Sequence, residues 1–195
     1  MKLIILRHGE SLDDIEDRYG GYANYDLTAK GVSQAAAVAS VLTKFKFNAV
    51  NSSPYQRALQ TATEVAAAQN QPVIIDTRIR ERNTYGYLSG MRKDQAKALF
   101  PVDYEKAKDQ VLSDEIDGAE LMTAVEARLR EFMVEINEKT YENVLMVCHG
   151  KSIEILLTKV LKVSEKVKFS DCGYLVVDLA DGNKIVESEN CQISV

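Results

Sequence analysis

Two short aliphatic runs, Lys2 to Arg7 (KLIILR) and Asn143 to Cys148 (NVLMVC), each deliver a histidine followed at once by a glycine: Arg7-His8-Gly9 and Cys148-His149-Gly150. Runs of this length and aliphatic content read as buried strands. Two parallel strands of one sheet would bring both imidazoles to the same carboxyl edge, where α/β folds bind their ligands. Gly9 and Gly150 would let a bound group approach the backbone closely. A lone histidine is more often a packed or surface residue, but the chain has only two, and their shared context favours a common role.

Further segments alternate in the same way. Asn48 to Asn51 and Pro72 to Asp76 read as buried strands. Val32, Ala35, Ala36, Ala39 and Leu42, then Ala58, Thr61, Ala62, Val65 and Ala66, recur at helical spacing. Ser53 before Pro54 supplies an N-cap oxygen and a fixed φ, which predicts a helix start there and puts Arg57 in its first turn. A longer helix is expected after Asp117, with Leu121, Val125, Leu129, Phe132, Met133 and Ile136 on one face. Another should follow His149, with Ile153, Leu156, Leu157, Val160 and Leu161. Tyr174 to Leu179 and Lys184 to Glu187 flank Asp181-Gly182 as a hairpin. The expected fold is a three-layer αβα sandwich around a mostly parallel sheet, with an antiparallel contribution near the C-terminus.

Nothing marks a second domain in the 195 residues, and 46% hydrophobic residues suffice for one core. Residues 91–118, with scattered lysines and Pro101, read as an excursion over the site that sets substrate choice. A net charge of -5 argues against a nucleic-acid binder while leaving room for a locally basic pocket. No run approaches a membrane span or a signal peptide, so a cytoplasmic protein with no membrane partner is expected. Cys148, Cys172 and Cys191 match no disulfide or zinc pattern and read as reduced thiols. Cys148 completes an apolar strand and reads as core.

A neutral imidazole carries a nitrogen lone pair near neutral pH, its ordinary pKa being ~6.5, and can act as a nucleophile. Phosphoryl transfer spreads negative charge over equatorial oxygens, which arginine forks stabilise. Arg7 adjoins the first histidine, and Arg57 sits at a helix start whose amides favour an anion.

The stretch Leu6-Arg7-His8-Gly9-Glu10-Ser11, with Arg18-Tyr19-Gly20-Gly21, Asp26-Leu27-Thr28 and Gly31, resembles the N-terminal signature of the phosphoglycerate mutase-like family of the histidine phosphatase superfamily. Ser52 to Ala62 is similar to its second arginine segment, Arg80-Glu81-Arg82 with Tyr85-Gly86 and Ser89-Gly90 to its acid-bearing segment, and Val147-Cys148-His149-Gly150 to its second-histidine motif. The resemblance implies that His8 is the covalent nucleophile, that Arg7, Arg57 and His149 hold the phosphoryl oxygens, and that Glu81 is the general acid. It further implies that Ser11 donates to the bound phosphate and that no metal or other cofactor is needed.

Two departures stand out. Asp14 occupies a place where the family often has a donating asparagine, and is expected to point away from the phosphate. The segment Asn83-Thr84-Tyr85-Gly86 is one residue longer than in the mutases. Asp13, Asp14, Glu16 and Asp17 read as a solvated charge run rather than a metal site. The expected function is hydrolysis of small phosphomonoesters through a phosphohistidine. The alternatives are a mutase using the same residues, for which the excursion and tail look short, and a silent binding protein on the same fold.

Overall fold

In the computed structural model, which describes residues 1–109 and 111–194, six strands form one sheet in the order β3-β2-β4-β1-β5-β6. These are β1 (Lys2–Arg7), β2 (Ala49–Ser52), β3 (Val73–Ile75), β4 (Asn143–Cys148), β5 (Lys166–Asp178) and β6 (Lys184–Ser194). The first four run parallel; β5 lies antiparallel to β1 and carries β6 on its outer side. The helices are α1 (Leu12–Ile15), α2 (Ala29–Leu42), α3 (Gln56–Ala67), α4 (Lys93–Leu99), α5 (Pro101–Lys106), α6 (Met122–Asn137) and α7 (Gly150–Ile155), the last continuing as a π-helical turn over Leu156–Val160.

Successive side chains of a strand face opposite ways, and β1 is apolar on both faces. Leu3 and Ile5 join Val144 and Met146 under α6 and α7, while Ile4 and Leu6 join Leu145 and Val147 under α2 and α3. Helices thus cover both sides of the sheet, giving the three layers expected. Cys148 is fully buried in the first of these clusters. A third cluster of Tyr19, Leu88, Ala96 and Ile116 packs the segment between Leu88 and Ala119 against the loop after α1. No helix among the described residues is long and apolar enough to cross a membrane.

Several local expectations change. β3 is not buried: it is an edge strand, with Ile74 45% and Ile75 56% exposed. Val32 and Leu121 also face outward, Leu121 as the N-cap of α6. Helix α3 starts at Gln56 rather than at Pro54, with Tyr55 as its N-cap and the Ser53 hydroxyl shared between the Tyr55 amide and His149, although Arg57 does fall in its first turn. The C-terminal strands run longer than their alternating stretches. Their pairing is interrupted between Phe169 and Tyr174, where Cys172 has φ 51°. In the loop to β6 the positive φ values fall on Gly182 and Asn183, one residue later than the Asp-Gly pair suggests.

Candidate active site

Arg7 pairs with Cys148 in the β1–β4 register, so His8 and His149 leave the sheet side by side. Their ring centroids are 5.0 Å apart. The carbonyl of His8 accepts from the amide of Cys172 at 3.2 Å, so the irregularity in β5 fixes the strand end that carries His8. Nδ1 of His8 donates to the Gly9 carbonyl at 2.7 Å, and Nε2 faces Nε of Arg57 at 3.3 Å. With its proton on Nδ1, His8 presents the Nε2 lone pair. Burial first, then the guanidiniums of Arg57 and Arg7, hold its pKa well below the usual histidine range, against the opposing pull of the Gly9 carbonyl.

His149 has no exposed surface and lies behind His8, with Nε2 2.6 Å from the hydroxyl of Ser53 and its ring edge-on to Tyr55. Burial, followed by the charges of Arg57, His8, Arg7 and Arg128, depresses its pKa in the same way. Its Nδ1 is buried without a partner among the described residues, as is Nε of Arg7. Arg7 is held from the other side, by the Phe169 carbonyl at 3.0 Å and Asp171 at 3.3 Å. Arg57 is 2% exposed and anchored to the Ala23 carbonyl at 2.7 Å.

His8, Arg7 and Arg57 border a cavity of about 480 Å³ whose wall also includes Glu81 and Gly150 but not His149, a size suited to a small ligand. The wall carries Arg18, Arg82, Lys93, Lys151 and Lys168 in addition to Arg7 and Arg57, against Asp13, Asp14, Glu81 and Glu154. A net acidic chain therefore holds a net basic pocket. Glu81 is fixed by its own next residue and by the start of α7: Oε1 accepts from the amides of Arg82 (2.8 Å) and Ser152 (3.0 Å), and Oε2 from the amide of Lys151 (3.2 Å), while the Ser152 hydroxyl donates to the Arg80 carbonyl at 2.6 Å.

Ser11 is fully buried outside this wall, with its hydroxyl between Asp13 (2.7 Å) and Asp14 (3.0 Å), so its one proton is committed to carboxylates. Asp14 does not turn away; it stands in the wall, its Oδ2 also accepting from the Ser11 amide at 3.0 Å. The two glycines differ. A side chain at Gly9 would come within 2.7 Å of the Gly31 carbonyl, so that glycine serves the packing of α2, whereas Gly150 has open space before it. The acidic run gathers no group of three potential metal ligands among the described residues.

Sequence reasoning missed Ser53, read as a helix cap, and Thr61, which accepts from the Gly9 amide at 3.2 Å and donates to the Arg57 carbonyl at 2.8 Å. It also missed Arg128, which is 7% exposed, pairs with Glu120 at 3.0 Å and donates to the carbonyls of Arg78 (2.5 Å) and Arg80 (2.8 Å), bracing the 3-10 turn before Glu81. An arginine on the otherwise apolar stripe of α6 was the available signal.

A sheet edge presenting His8, Arg7 and Arg57 to a cationic cavity, with the second imidazole buried directly behind the first, defines an anion-receiving site of the kind phosphoryl-transfer proteins use. The chain belongs to the histidine phosphatase superfamily (branch 1), whose family model matches residues 3–192. It is 28% identical to phosphoserine phosphatase 1 of Hydrogenobacter thermophilus over 95% of this chain and 90% of that one. It is 29% identical to a 2,3-bisphosphoglycerate-dependent phosphoglycerate mutase of Gloeobacter violaceus, covering 87% and 82%. Among solved structures it shares the fold of the α-ribazole phosphatase of Shigella flexneri, with a TM-score of 0.83 at 22% identity over 97% and 96% of the two chains.

Proposed function

We propose that this protein is a metal-independent phosphatase that hydrolyses small phosphomonoesters through a phosphohistidine on His8. One observation carries the reading: buried Nε of Arg7 and Nδ1 of His149 lack partners beside a histidine whose Nε2 is kept unprotonated. Buried polar groups are seldom left unbonded, and the equatorial oxygens of a phosphoryl group would satisfy both.

In the first step Nε2 of His8 attacks phosphorus while the ester P–O bond breaks. Arg57, now facing Nε2, turns its donors to the phosphoryl oxygens together with Arg7 and His149. Glu81 delivers a proton to the departing oxygen from Oε2, which accepts from one amide where Oε1 accepts from two. In the second step water attacks phosphorus, Glu81 takes its proton, and the P–N bond breaks to return neutral His8. Residues 91–118, which contribute Lys93 to the wall, set which alcohol is accepted, and Gly150 leaves room for the phosphoryl group.

Rapid quenching with a labelled ester is expected to trap label that is acid-labile and alkali-stable, and His8→Ala to abolish it. Label surviving in His8→Ala would defeat the assignment. Transfer to a phosphoglycerate acceptor is the second reading, favoured by the similarity to mutases. Label moving to added phosphoglycerate faster than to water would establish it.

A further inference from the structure

Thr84 Oγ1 is a third buried side-chain atom without a partner among the described residues, beside Arg7 Nε and His149 Nδ1. Thr84 is 4% exposed and belongs to the wall of the same cavity. A buried hydroxyl without a partner is unfavourable, while the residues around it are held by contacts of their own. The Thr84 amide donates to the Arg82 carbonyl at 2.9 Å. Asn83 donates to the Gly118 carbonyl at 2.9 Å and accepts from the Ser89 hydroxyl at 2.5 Å. Tyr85 packs at a tilt against Tyr19 with centroids 4.5 Å apart, and Arg82 is tied to Asp114 and to the Glu120 carbonyl. The loop is thus preorganised, and its buried hydroxyl has no partner among the described residues.

We infer that Thr84 Oγ1 donates a hydrogen bond to an oxygen on the leaving group of the substrate, a hydroxyl or carboxylate carried on the carbon skeleton beside the ester oxygen. Thr84 lies three residues beyond Glu81, which is assigned to the ester oxygen, and the cavity wall to which it belongs is net basic, so an oxygen acceptor suits the place better than an ammonium. The subsite makes Thr84 a specificity-determining residue. A site built to bond a substrate oxygen rejects the analogue that lacks it, because the hydroxyl then stays unbonded. This inference rests on the phosphatase reading above.

The test uses glycerol phosphate and 3-phosphoglycerate as oxygen-bearing esters, n-propyl phosphate as the bare one, and orthovanadate as a phosphoryl mimic with no leaving group. Thr84→Val keeps the shape and removes the hydroxyl; Thr84→Ser keeps the hydroxyl. Thr84→Val is expected to lower kcat/KM for at least one oxygen-bearing ester by about five- to thirtyfold, the worth of one hydrogen bond to a charged or neutral acceptor. Propyl phosphate turnover and vanadate inhibition should stay within about twofold, Thr84→Ser should recover most of the loss, and the melting temperature of Thr84→Val should not fall, since it loses no bond of the free protein. The arm that suffers tells hydroxyl from carboxylate. Equal losses on propyl phosphate, no loss on any ester, or weaker vanadate inhibition would overturn the subsite. If the wild type hydrolyses none of the esters, the phosphatase reading fails by itself. The rise in melting temperature that each ester produces in wild type and Thr84→Val then decides Thr84 without turnover.

Discussion

The hydroxyl of Ser53 sits 2.6 Å from Nε2 of His149 and 3.4 Å from the amide of Tyr55. A hydroxyl that accepts from an amide has its own proton left to give, and giving it to Nε2 leaves the proton of neutral His149 on Nδ1. That is the buried atom left without a partner among the described residues, so Ser53 sets the tautomer in which His149 can donate. Ser53→Ala should reduce both kcat/KM and vanadate affinity by about tenfold, in line with the loss of one orienting hydrogen bond. Parallel inhibition and turnover assays check this; unchanged vanadate affinity would remove the tautomer argument.

Both histidines have pKa values held well below the ordinary one by burial and by neighbouring arginines. The unfolded chain takes up protons near pH ~6.5, the native one only at lower pH. The unfolded state therefore binds more protons in that interval, and stability falls as pH drops below about 6.5, by up to about 1.4 kcal/mol per pH unit for each histidine. Urea unfolding of wild type and His149→Gln between pH 7.5 and 5.0, approximate bounds chosen around that ordinary value, should show a shallower decline in the variant. Imidazole resonances should remain neutral through the same interval and shift towards protonation when vanadate offsets the arginine charge.

For Glu81 the proposed proton transfer predicts an asymmetry between leaving groups. Glu81→Gln should slow the burst of alcohol release from alkyl esters by about two to four powers of ten, and that from an aryl phosphate much less, since its leaving group needs no proton. Single-turnover measurement separates this from the second step, where Glu81 activates water. Because the carboxylate also receives the amides of Lys151 and Ser152, the thermal midpoint of the variant must be followed. Equal losses for both esters would make Glu81 a brace for α7 and not an acid.

Two glycines should respond in opposite ways to alanine. A Cβ at Gly31 would lie 2.0 Å from the Glu10 carbonyl, backbone against backbone, whereas one at Gly150 meets nothing within 4 Å. Gly31→Ala is expected to cost about 1–3 kcal/mol or more in unfolding free energy. Gly150→Ala should leave stability within about 0.5 kcal/mol while weakening vanadate inhibition. Denaturant titration beside inhibition assays checks both.

Much of the frame was legible because β1 and β4 are continuous aliphatic runs that fix their own strand character, and the histidines follow at their ends. The alanine periodicity of α2 and the stripe of α6 likewise depend on local spacing. The reading failed where the deciding partner is distant. Ile74 and Ile75 look like core residues until the sheet order leaves β3 at an edge. Ser170 to Gly173 break the alternation of β5 because they bend to receive His8 and Arg7. Ser53 resembles a cap and does accept from the Tyr55 amide, but its shorter contact is with a residue 96 positions away. Local pattern also assigned Gly9 to ligand approach when the constraint comes from Gly31.

The sheet order has a consequence for how the protein is made. β1 is paired on one side with β4 and on the other with β5, so both of its neighbours are translated more than 130 residues later, as the element positions dictate. Until then a nascent chain carries one of its most apolar strands with both edges open, a state prone to sticking to other chains and to recruiting chaperones. Half of the site, with His8 and Arg7, exists on the ribosome long before the half with His149. An incomplete chain therefore holds no assembled centre, and its strand β1 is the segment for which a folding assistant would have to wait.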